Sequence, residues 1–460
     1  MAASISQPPS PPLGLDVLRL LFDTTHRADP YPLYRRLRND HPVHRTPLGL
    51  WLVTGHAEAT AALRDPRLSS DIGGLIGNPA GTADTGALPV LARLVGYAGP
   101  RALTFTPTLA RTAFAGPRSR HAGREFGRLA SRALLLRDPP DHARLRRLVS
   151  RAFTPRAVEA LTPRIVELTA QLLHRAAASG TCDLIADFAY PLPVTVICEM
   201  LGAPPTDHRR LIGWSRSLAA GLDPTQMLLD RSVAAAADRA ALAVGDYLEA
   251  LTRARRTHPT GDLISRLVAA SDHDDRLDDE EIVTMCALLL VAGHETTVNL
   301  IGNGVVALIR HPDARDRWLD EPELSPAAVE ELLRYDGPVQ TATRRAATTL
   351  DIGGREIPAG SLVMIVLGAA NRDPHAFDDP DRLTLDRQPN QHLAFGSGIH
   401  YCLGASLARA EARIAIPALL RHQPRVHDDH LAWRPGLALR GLQHLRVSLT
   451  APARSTPVAG

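Results

Sequence analysis

A long helical run near the middle of the chain constrains the fold more than any other feature. Apolar residues recur at helical spacing over residues 282–310, Asp278 is a candidate N-cap, and the pair His311-Pro312 ends the pattern. At about 1.5 Å per residue such a helix spans roughly 40 Å, enough to cross a whole domain. Residues 285–292 are apolar on every face of this helix. The helix is therefore expected to be buried.

The middle of this helix is nevertheless polar. Residues 293–297 read GHETT, and placing an acid and two hydroxyls in a buried helix costs several kcal/mol unless something uses them. Ala292 and Gly293 leave a notch where a flat ligand can approach. A helix bend caused by threonine side chains bonding the backbone is the alternative interpretation.

A glycine-rich loop near the end of the chain carries a single cysteine. Residues 395–404 read FGSGIHYCLG, and a helical pattern begins at Leu403. Cys402 would thus lie at a helix start, where free N–H groups and the positive end of the dipole favour a thiolate. Glycines at 396, 398 and 404 allow tight turns and close approach to a ligand. This pattern suits an iron ligand, although a lone cysteine is more often a small buried hydrophobe.

Two pairs at helical spacing add to the candidate site. His142 and Arg146 lie four residues apart, share a helix face and suit a carboxylate; a solvated basic face is the alternative. Glu331 and Arg334 lie three apart and can form an ion pair on one face. Exposed pairs of this kind are common and contribute little, so the second signal is weak alone.

Composition sets broader limits. No linker divides the 460 residues, so one large domain is expected. A net charge of +3 is too small to indicate nucleic acid, and 4% aromatic residues predict a pocket lined by aliphatic side chains. The four cysteines lack metal-site spacing, which favours a reducing cytoplasm. Residues 1–13 have no apolar core of a signal peptide or membrane anchor, so no membrane association is expected.

Together these motifs resemble those of cytochromes P450. Residues 395–404, followed by Leu-Ala-Arg at 407–409, closely resemble the haem-binding loop of that family. The Glu-Thr pair, the Glu-x-x-Arg pair and the His-Arg pair stand in the family's order, and the resemblance extends over about residues 28–449. It implies the cytochrome P450 fold, mainly α with small β-sheets (α+β), in a single large domain. It also implies haem b (iron protoporphyrin IX) as the cofactor.

The resemblance assigns roles to the motif residues. It implies that Cys402 binds the iron and that Phe395 packs beside the sulfur. Thr296 would donate a hydrogen bond to dioxygen, and Glu295 would relay protons. The remaining haem-binding residues implied in this way are His142, Arg146, Ala292, Gly293, Arg344, His400 and Gly404. Arg345 is the alternative to Arg344 as a propionate ligand.

Two further sets follow from the same resemblance. The substrate pocket is expected to include Val339, Gln340, Thr341 and Leu442. A buried structural network is expected to consist of Glu331, Arg334 and Arg382, and to hold the cysteine loop in place.

The function implied is that of a monooxygenase. One atom of O2 would be inserted into an apolar small molecule, by hydroxylation or epoxidation, in secondary metabolism. No reductase domain is visible, so ferredoxin and ferredoxin reductase are the expected electron donors for a cytoplasmic monomer. A peroxide-driven peroxygenase is one alternative, disfavoured because that subgroup typically replaces the Glu-Thr pair. A non-catalytic haem-binding or sensing protein is another.

Patterning also predicts the elements. Residues 1–12 and 451–460 are expected to be disordered, and residues 13–450 to form the domain. Residues 69–136 are much longer than the matching connection in most soluble bacterial members, and read as a lid over the substrate or a disordered insertion. The other expected elements are a loop at 73–86, helices at 90–95, 126–136, 157–178, 194–201, 207–220 and 231–257, and a hairpin of 43–45 with 50–54.

Overall fold

Helices make up most of the described chain. The computed structural model describes residues 16–17, 19–20, 23–46, 49–72, 123–223, 231–272, 275–428 and 430–450. Within these ranges the α-helices are α1 Tyr31–Asp40, α2 His56–Arg64, α3 Arg124–Arg132, α4 Asp141–Ala152, α5 Pro155–Glu159, α6 Thr162–Ala178, α7 Pro191–Leu201, α8 His208–Gly221, α9 Arg231–Thr257, α10 Leu263–Ala269, α11 Asp279–Arg310, α12 Pro312–Asp320, α13 Ser325–Asp336, α14 Leu367–Ala370 and α15 Ala405–Leu420. The loop at 73–86, the helix at 90–95 and both terminal segments lie outside them.

In the described part of the chain, the strands are short and fall into four small sheets. They are β1 Val43–Arg45, β2 Trp51–Val53, β3 Leu68–Ser69, β4 Thr181–Asp183, β5 Ser271–Asp272, β6 Asp275–Arg276, β7 Thr341–Ala346, β8 Leu350–Ile352, β9 Arg355–Ile357, β10 Leu362–Val366, β11 Arg425–Val426 and β12 Arg446–Ser448. The largest sheet has the order β1-β2-β10-β7-β3, in which only the β2–β10 pair is parallel. The expected hairpin of β1 and β2 is confirmed.

The central helix α11 organises the helical core. A capping box begins it: the Asp278 carboxylate accepts from the Glu281 amide (2.7 Å), and the Glu281 carboxylate accepts from the Asp278 amide (3.0 Å). Helix α11 contacts α7, α8, α9, α13 and α15. The burial expected from its apolar faces is confirmed, since nearly every side chain from Ile282 to Leu308 is buried.

Two expected helices differ from the structure. The run predicted as one helix over 157–178 is divided into α5 and α6, and Pro163 lies in the first turn of α6. Proline has no N–H to donate and suits the first turn of a helix, so it begins a new helix there. The helix predicted over 126–136 ends at Arg132 and is followed by a 3₁₀ turn, Leu134–Leu136.

Helix α11 is also the one helix among the described residues that is long and apolar enough to cross a membrane. In its most apolar stretch, 72% of the residues are buried inside the protein. A core helix meets the same criteria of length and composition, so this is weak evidence for a span.

Candidate active site

The cysteine loop is a tight turn held by its own backbone. The Cys402 amide donates to the Phe395 carbonyl (2.9 Å), which closes residues 395–402 into a loop before α15 begins at Ala405. Gly396 and Gly398 have φ of +72° and +71°, which side chains rarely adopt, and a Cβ on Gly398 would lie 2.8 Å from the Leu63 carbonyl oxygen. A Cβ on Gly404 would meet no protein atom within 4 Å, so the fold itself does not require glycine there.

The Cys402 side chain is exposed to solvent, although many protein atoms surround it. Burial raises the pKa of its thiol above the ordinary value, while the Gly404 amide and the charges of Arg146 and Arg409 act in the opposite direction. The Gly404 amide at the helix start thus favours the thiolate, but burial outweighs it and the net shift is upward. A coordinated metal ion deprotonates a thiol outright, which makes the loop's own influence secondary.

Basic side chains from three elements converge beside Cys402. His142 on α4 and His400 in the loop have ring centroids 4.2 Å apart. Burial, followed by the charges of Arg344 and His142, lowers the pKa of His400 to about 4. Arg146, one turn after His142, is close enough to Cys402 for each charge to affect the other's pKa. The pairing expected for His142 and Arg146 therefore extends to a larger cluster.

Strand β7 separates the two arginine candidates. Side chains alternate along a strand, and here Arg344 is buried (8% exposed) whereas Arg345 is exposed. Arg344 donates to the Thr343 carbonyl (2.9 Å), and burial lowers its pKa. Of the two, Arg344 is the one that reaches the cluster.

The cluster has the chemistry of a site for a group with two acids. No carboxylate forms an ion pair with His142, Arg146, Arg344 or His400 among the described residues, and the buried His142 Nε2 has no hydrogen-bond partner. The nearby Asp138 is already engaged, because its oxygens accept from the Ser69 hydroxyl and the Ser70 amide. A buried guanidinium such as that of Arg344 is costly without an anionic partner. The donor set, with a cysteine beside it, fits a haem with its iron and two propionates.

One face of helix α11 is not fully buried. Between Ile282 and Leu308 the positions that are not fully buried are Leu288, Ala292, Gly293 and Thr296. These residues are spaced to lie on one helix face. The expected notch at Ala292 and Gly293 is thus part of the accessible face of an otherwise buried helix.

The two adjacent threonines in the middle of α11 bond their own backbone. The Thr296 hydroxyl donates to the Ala292 carbonyl (2.9 Å), and the Thr297 hydroxyl donates to the Gly293 carbonyl (3.3 Å). The alternative interpretation from the sequence, threonine back-bonding, therefore describes a real feature. It coexists with the notch, since Thr296 also lies on the open face.

Glu295 is buried in a polar cluster behind that face. Its carboxylate accepts from Arg434 Nη1 (2.6 Å) and from the Tyr190 hydroxyl (3.4 Å). His294 Nδ1 donates to the Leu290 carbonyl, since a carbonyl only accepts, and its Nε2 lies 2.9 Å from the Tyr190 oxygen. Burial would raise the pKa of Glu295, but hydrogen bonds and charges from His294 and Arg434 lower it to about 2. The acid is therefore held ionised at neutral pH.

The Glu331–Arg334 pair is a buried network, and one predicted member is corrected. Arg334 donates twice to Glu331 (2.7 and 2.8 Å), with both side chains fully buried. The Arg382 side chain is exposed, and Arg382 contributes only its carbonyl to Arg334 (3.0 Å). Arg387 takes the predicted place, donating to both oxygens of Glu331 (3.1 Å each). A turn of irregular backbone separates the two arginines, so sequence spacing could not choose between them.

The sequence reasoning also missed Glu330, which ties the two ends of the cysteine loop together. Its carboxylate pairs with Arg409 (2.6 Å) after the loop and with His392 (3.1 Å) before it. Burial would raise the pKa of Glu330, but Arg409 and His392 lower it to about 2. The Arg409 guanidinium also lies 4.5 Å from the Phe395 ring centre. Glu330 lies next to Glu331 in the sequence, and Arg409 belongs to the Leu-Ala-Arg run after the loop. These two features were the signal from which the pair could have been predicted.

Comparison with known proteins identifies the family. The family profile described as Cytochrome P450 matches residues 229–423. Cytochrome P450 107B1 of Saccharopolyspora erythraea is 39% identical over 437 residues, covering 93% of this chain and 97% of that protein. The chain belongs to the cytochrome P450 family. It folds as a single domain of that family and is a haem-thiolate monooxygenase that hydroxylates or epoxidises small molecules.

Two solved structures show how far this cytochrome P450 resembles others. P450BioI, in complex with acyl carrier protein ligated with hexadec-9Z-enoic acid, has a TM-score of 0.79 at 34% identity, covering 93% of this chain and 99% of that one. The cytochrome P450 PksS of the bacillaene polyketide synthase of Bacillus subtilis has a TM-score of 0.76 at 34% identity, covering 93% and 98%. Many relatives belong to secondary metabolism.

Of the four expected pocket residues, Val339 and Thr341 are partly exposed and the other two are enclosed. Gln340 and Leu442 are buried, and Val339 bridges to Leu439 in an isolated antiparallel pair. The Gln340 amide nitrogen donates to the Gly337 carbonyl (2.7 Å), while its oxygen has no partner. Leu439, the partner of Val339, lines the larger of two cavities in this cytochrome P450.

Two cavities flank the end of α8. A small one of about 40 Å³ is lined almost entirely by aliphatic side chains, including Leu218, Leu222 and, on α11, Leu288 and Val291. This agrees with the aliphatic lining expected from the low aromatic content. A larger cavity of about 340 Å³ lies between α8, the turn at 185–186 and residues 434–443. Leu222 borders both cavities.

Proposed function

We propose that this cytochrome P450 uses Cys402 as the iron ligand and the surrounding cluster of basic side chains as the propionate site. The observation that carries the proposal is the cluster of His142, His400, Arg344 and Arg146, which lacks carboxylate partners in the described part of the chain and lies beside an accessible cysteine. Phe395 and Gly404 belong to the same loop. Haem, when bound, supplies the dioxygen chemistry that no side chain can perform.

The protein's own groups manage protons. Glu295 is ionised, so it must take up a proton before it can pass one on. The buried hydroxyl and imidazole beside it, from Tyr190 and His294, form the proposed route. The Thr296 hydroxyl has one proton and directs it at the Ala292 carbonyl. Rotated away from that carbonyl, it can donate a hydrogen bond to dioxygen on the open face of α11.

The proposed function also includes redox partners, a cellular location and a substrate class. We propose that ferredoxin and ferredoxin reductase deliver electrons to a cytoplasmic monomer. The similarity to soluble bacterial members of the family supports this proposal. The substrate is proposed to be an apolar compound of secondary metabolism, because aliphatic side chains line the cavity next to α11.

The test uses the haem-loaded protein with NADPH, ferredoxin reductase, ferredoxin and a panel of apolar compounds. Labelled dioxygen should place one labelled oxygen atom in the product. Thr296→Ala should keep consuming NADPH but divert about 90% or more to hydrogen peroxide, because a general-acid contribution of this kind is worth 10²-fold or more. A matched control is Thr257→Ala, an exposed threonine at the end of α9.

Two outcomes would contradict the proposal in different ways. Turnover with hydrogen peroxide but none with the redox partners would indicate a peroxygenase. Tight ligands that never stimulate NADPH consumption would indicate a haem-binding or sensing protein.

A further inference from the structure

The larger cavity beside α8 contains charge that the proposed mechanism does not use. At about 340 Å³ it falls within the range typical of ligand sites. Its wall is mainly aliphatic, with Ile185, Ala219, Leu222 and Leu439, and two arginines also line it, Arg216 and Arg434. We call it the arginine cavity.

Arg216 is the uncompensated charge in this wall. No carboxylate pairs with it among the described residues, and its guanidinium carbon lies 3.9 Å from the centre of the Tyr190 ring. Asp223 also lines the cavity, but it is buried and engaged: it accepts from the Ala438 amide (3.2 Å), and its charge acts on Arg27. An aliphatic wall with one unmatched guanidinium favours an amphipathic monoanion.

Arg434 connects the cavity to the catalytic helix. Residues 432–443 fold back on themselves, with the Arg434 amide donating to the Gly441 carbonyl and the Gln443 amide donating to the Ala432 carbonyl. The guanidinium of Arg434 uses Nη1 to pair with Glu295, and its side chain remains 25% exposed. The other N–H groups of this arginine are therefore available to a second anion.

We propose that the arginine cavity binds the carboxylate of an amphipathic substrate, held by Arg216 and shared by Arg434. This inference rests on the proposed function and refines it, because it adds one carboxylate to the otherwise apolar substrate of the same enzyme. The ligand carboxylate and Glu295 then compete for Arg434. Binding free energies are reciprocal, so a substrate that draws on Arg434 also loosens the ion pair that holds Glu295 ionised. Three charged or titratable side chains contact the Glu295 carboxylate, namely Arg434, His294 and Tyr190.

The experiment measures calorimetric binding of octanoate and octanamide, which differ in charge but hardly in shape, to the haem-loaded protein at neutral pH. Octanoate should bind about tenfold more tightly than octanamide, as expected for a charge-assisted hydrogen bond. Arg216→Gln should abolish that preference. Arg209→Gln, which changes an exposed arginine on the same helix, should keep it. Arg434→Gln is avoided because it would leave Glu295 buried without its ion pair.

Glu295→Gln tests the competition for Arg434. Removing the anion that shares Arg434 should strengthen octanoate binding about threefold to tenfold and leave octanamide unchanged. Equal binding of the two probes to the unmodified protein, or a preference that survives Arg216→Gln, would overturn the carboxylate site. Unchanged octanoate binding in Glu295→Gln would overturn the competition.

The carbon monoxide spectrum of the same samples separates this inference from the proposed function. A normal thiolate carbonyl band together with no octanoate preference contradicts the arginine cavity alone. Loss of that band from the unmodified protein contradicts the proposed function, whatever the binding result.

Discussion

At the scale of single residues, Glu411 on α15 stands out because its burial has no visible compensation. It is fully buried, and neither carboxylate oxygen has a hydrogen-bond partner at good geometry. The nearby Thr297 hydroxyl is directed at the Gly293 carbonyl instead. Burial raises the pKa of Glu411 to about 8, so this acid is neutral at physiological pH.

Glu411 should therefore make stability depend on pH. The unfolded chain ionises it above its ordinary value of 4.5, whereas the folded protein keeps it protonated until about 8. The folded state thus binds more protons in this window, and stability falls as pH rises from 4.5 to 8, by about 1.4 kcal/mol per pH unit at most. The Glu411→Gln variant has no carboxyl to ionise at this position, so it lacks this loss of stability. The melting temperature of the variant should therefore fall less between pH 5 and pH 8 than that of the unmodified protein.

The control for this prediction is Glu323→Gln, at an exposed position. Its melting curve should shift with pH as the unmodified protein's does. Parallel pH profiles for Glu411→Gln and the unmodified protein would show that the carboxyl at 411 is ionised in the fold.

At the scale of elements, β7 decides which arginine can serve the haem. Side chains alternate along the strand, so Arg344 is buried and Arg345 is exposed. The local sequence alone could not decide between the two. Arg344→Gln should speed haem transfer to apomyoglobin about tenfold or more, because a buried charge-assisted hydrogen bond is lost. Arg345→Gln should leave the transfer rate unchanged. The reverse ranking would show that β7 has the opposite register.

Two arginines in the segment after α14 also differ in burial and in what they contact. Arg387 donates to Glu331, whereas Arg382 has its side chain in solvent. Arg387→Gln should lower the free energy of unfolding by about 2 kcal/mol, as for loss of hydrogen bonds to a buried charge. Arg382→Gln should change it by less than about 0.5 kcal/mol. Urea unfolding of both variants measures this difference, and equal losses would restore the sequence-based assignment.

At the scale of the whole molecule, the elements with strong local signals were predictable. The helix over 231–257 and the capped start of α11 follow from apolar periodicity and acidic caps, and both are confirmed. The break between α5 and α6 was missed because the apolar pattern continues across it, although Pro163 marked it.

The candidate site was harder to predict from the sequence, because its contacts join residues that are far apart in the chain. Arg434 meets Glu295 across 139 residues, and neither periodicity nor a motif connects them. The same holds for Glu330 and Arg409, which come together only when α13 packs on α15. Motifs predicted the reacting groups, and only the fold revealed which charged side chains surround them.

The bond between the Cys402 sulfur and the haem iron is the central claim, and one spectrum tests it most directly. Cys402→Ser and the unmodified protein are loaded with haem, reduced and exposed to carbon monoxide. The unmodified protein should show the red-shifted carbonyl band of a thiolate ligand, and the serine variant should lack it. Equal bands in both proteins, or no such band in either, would contradict the account.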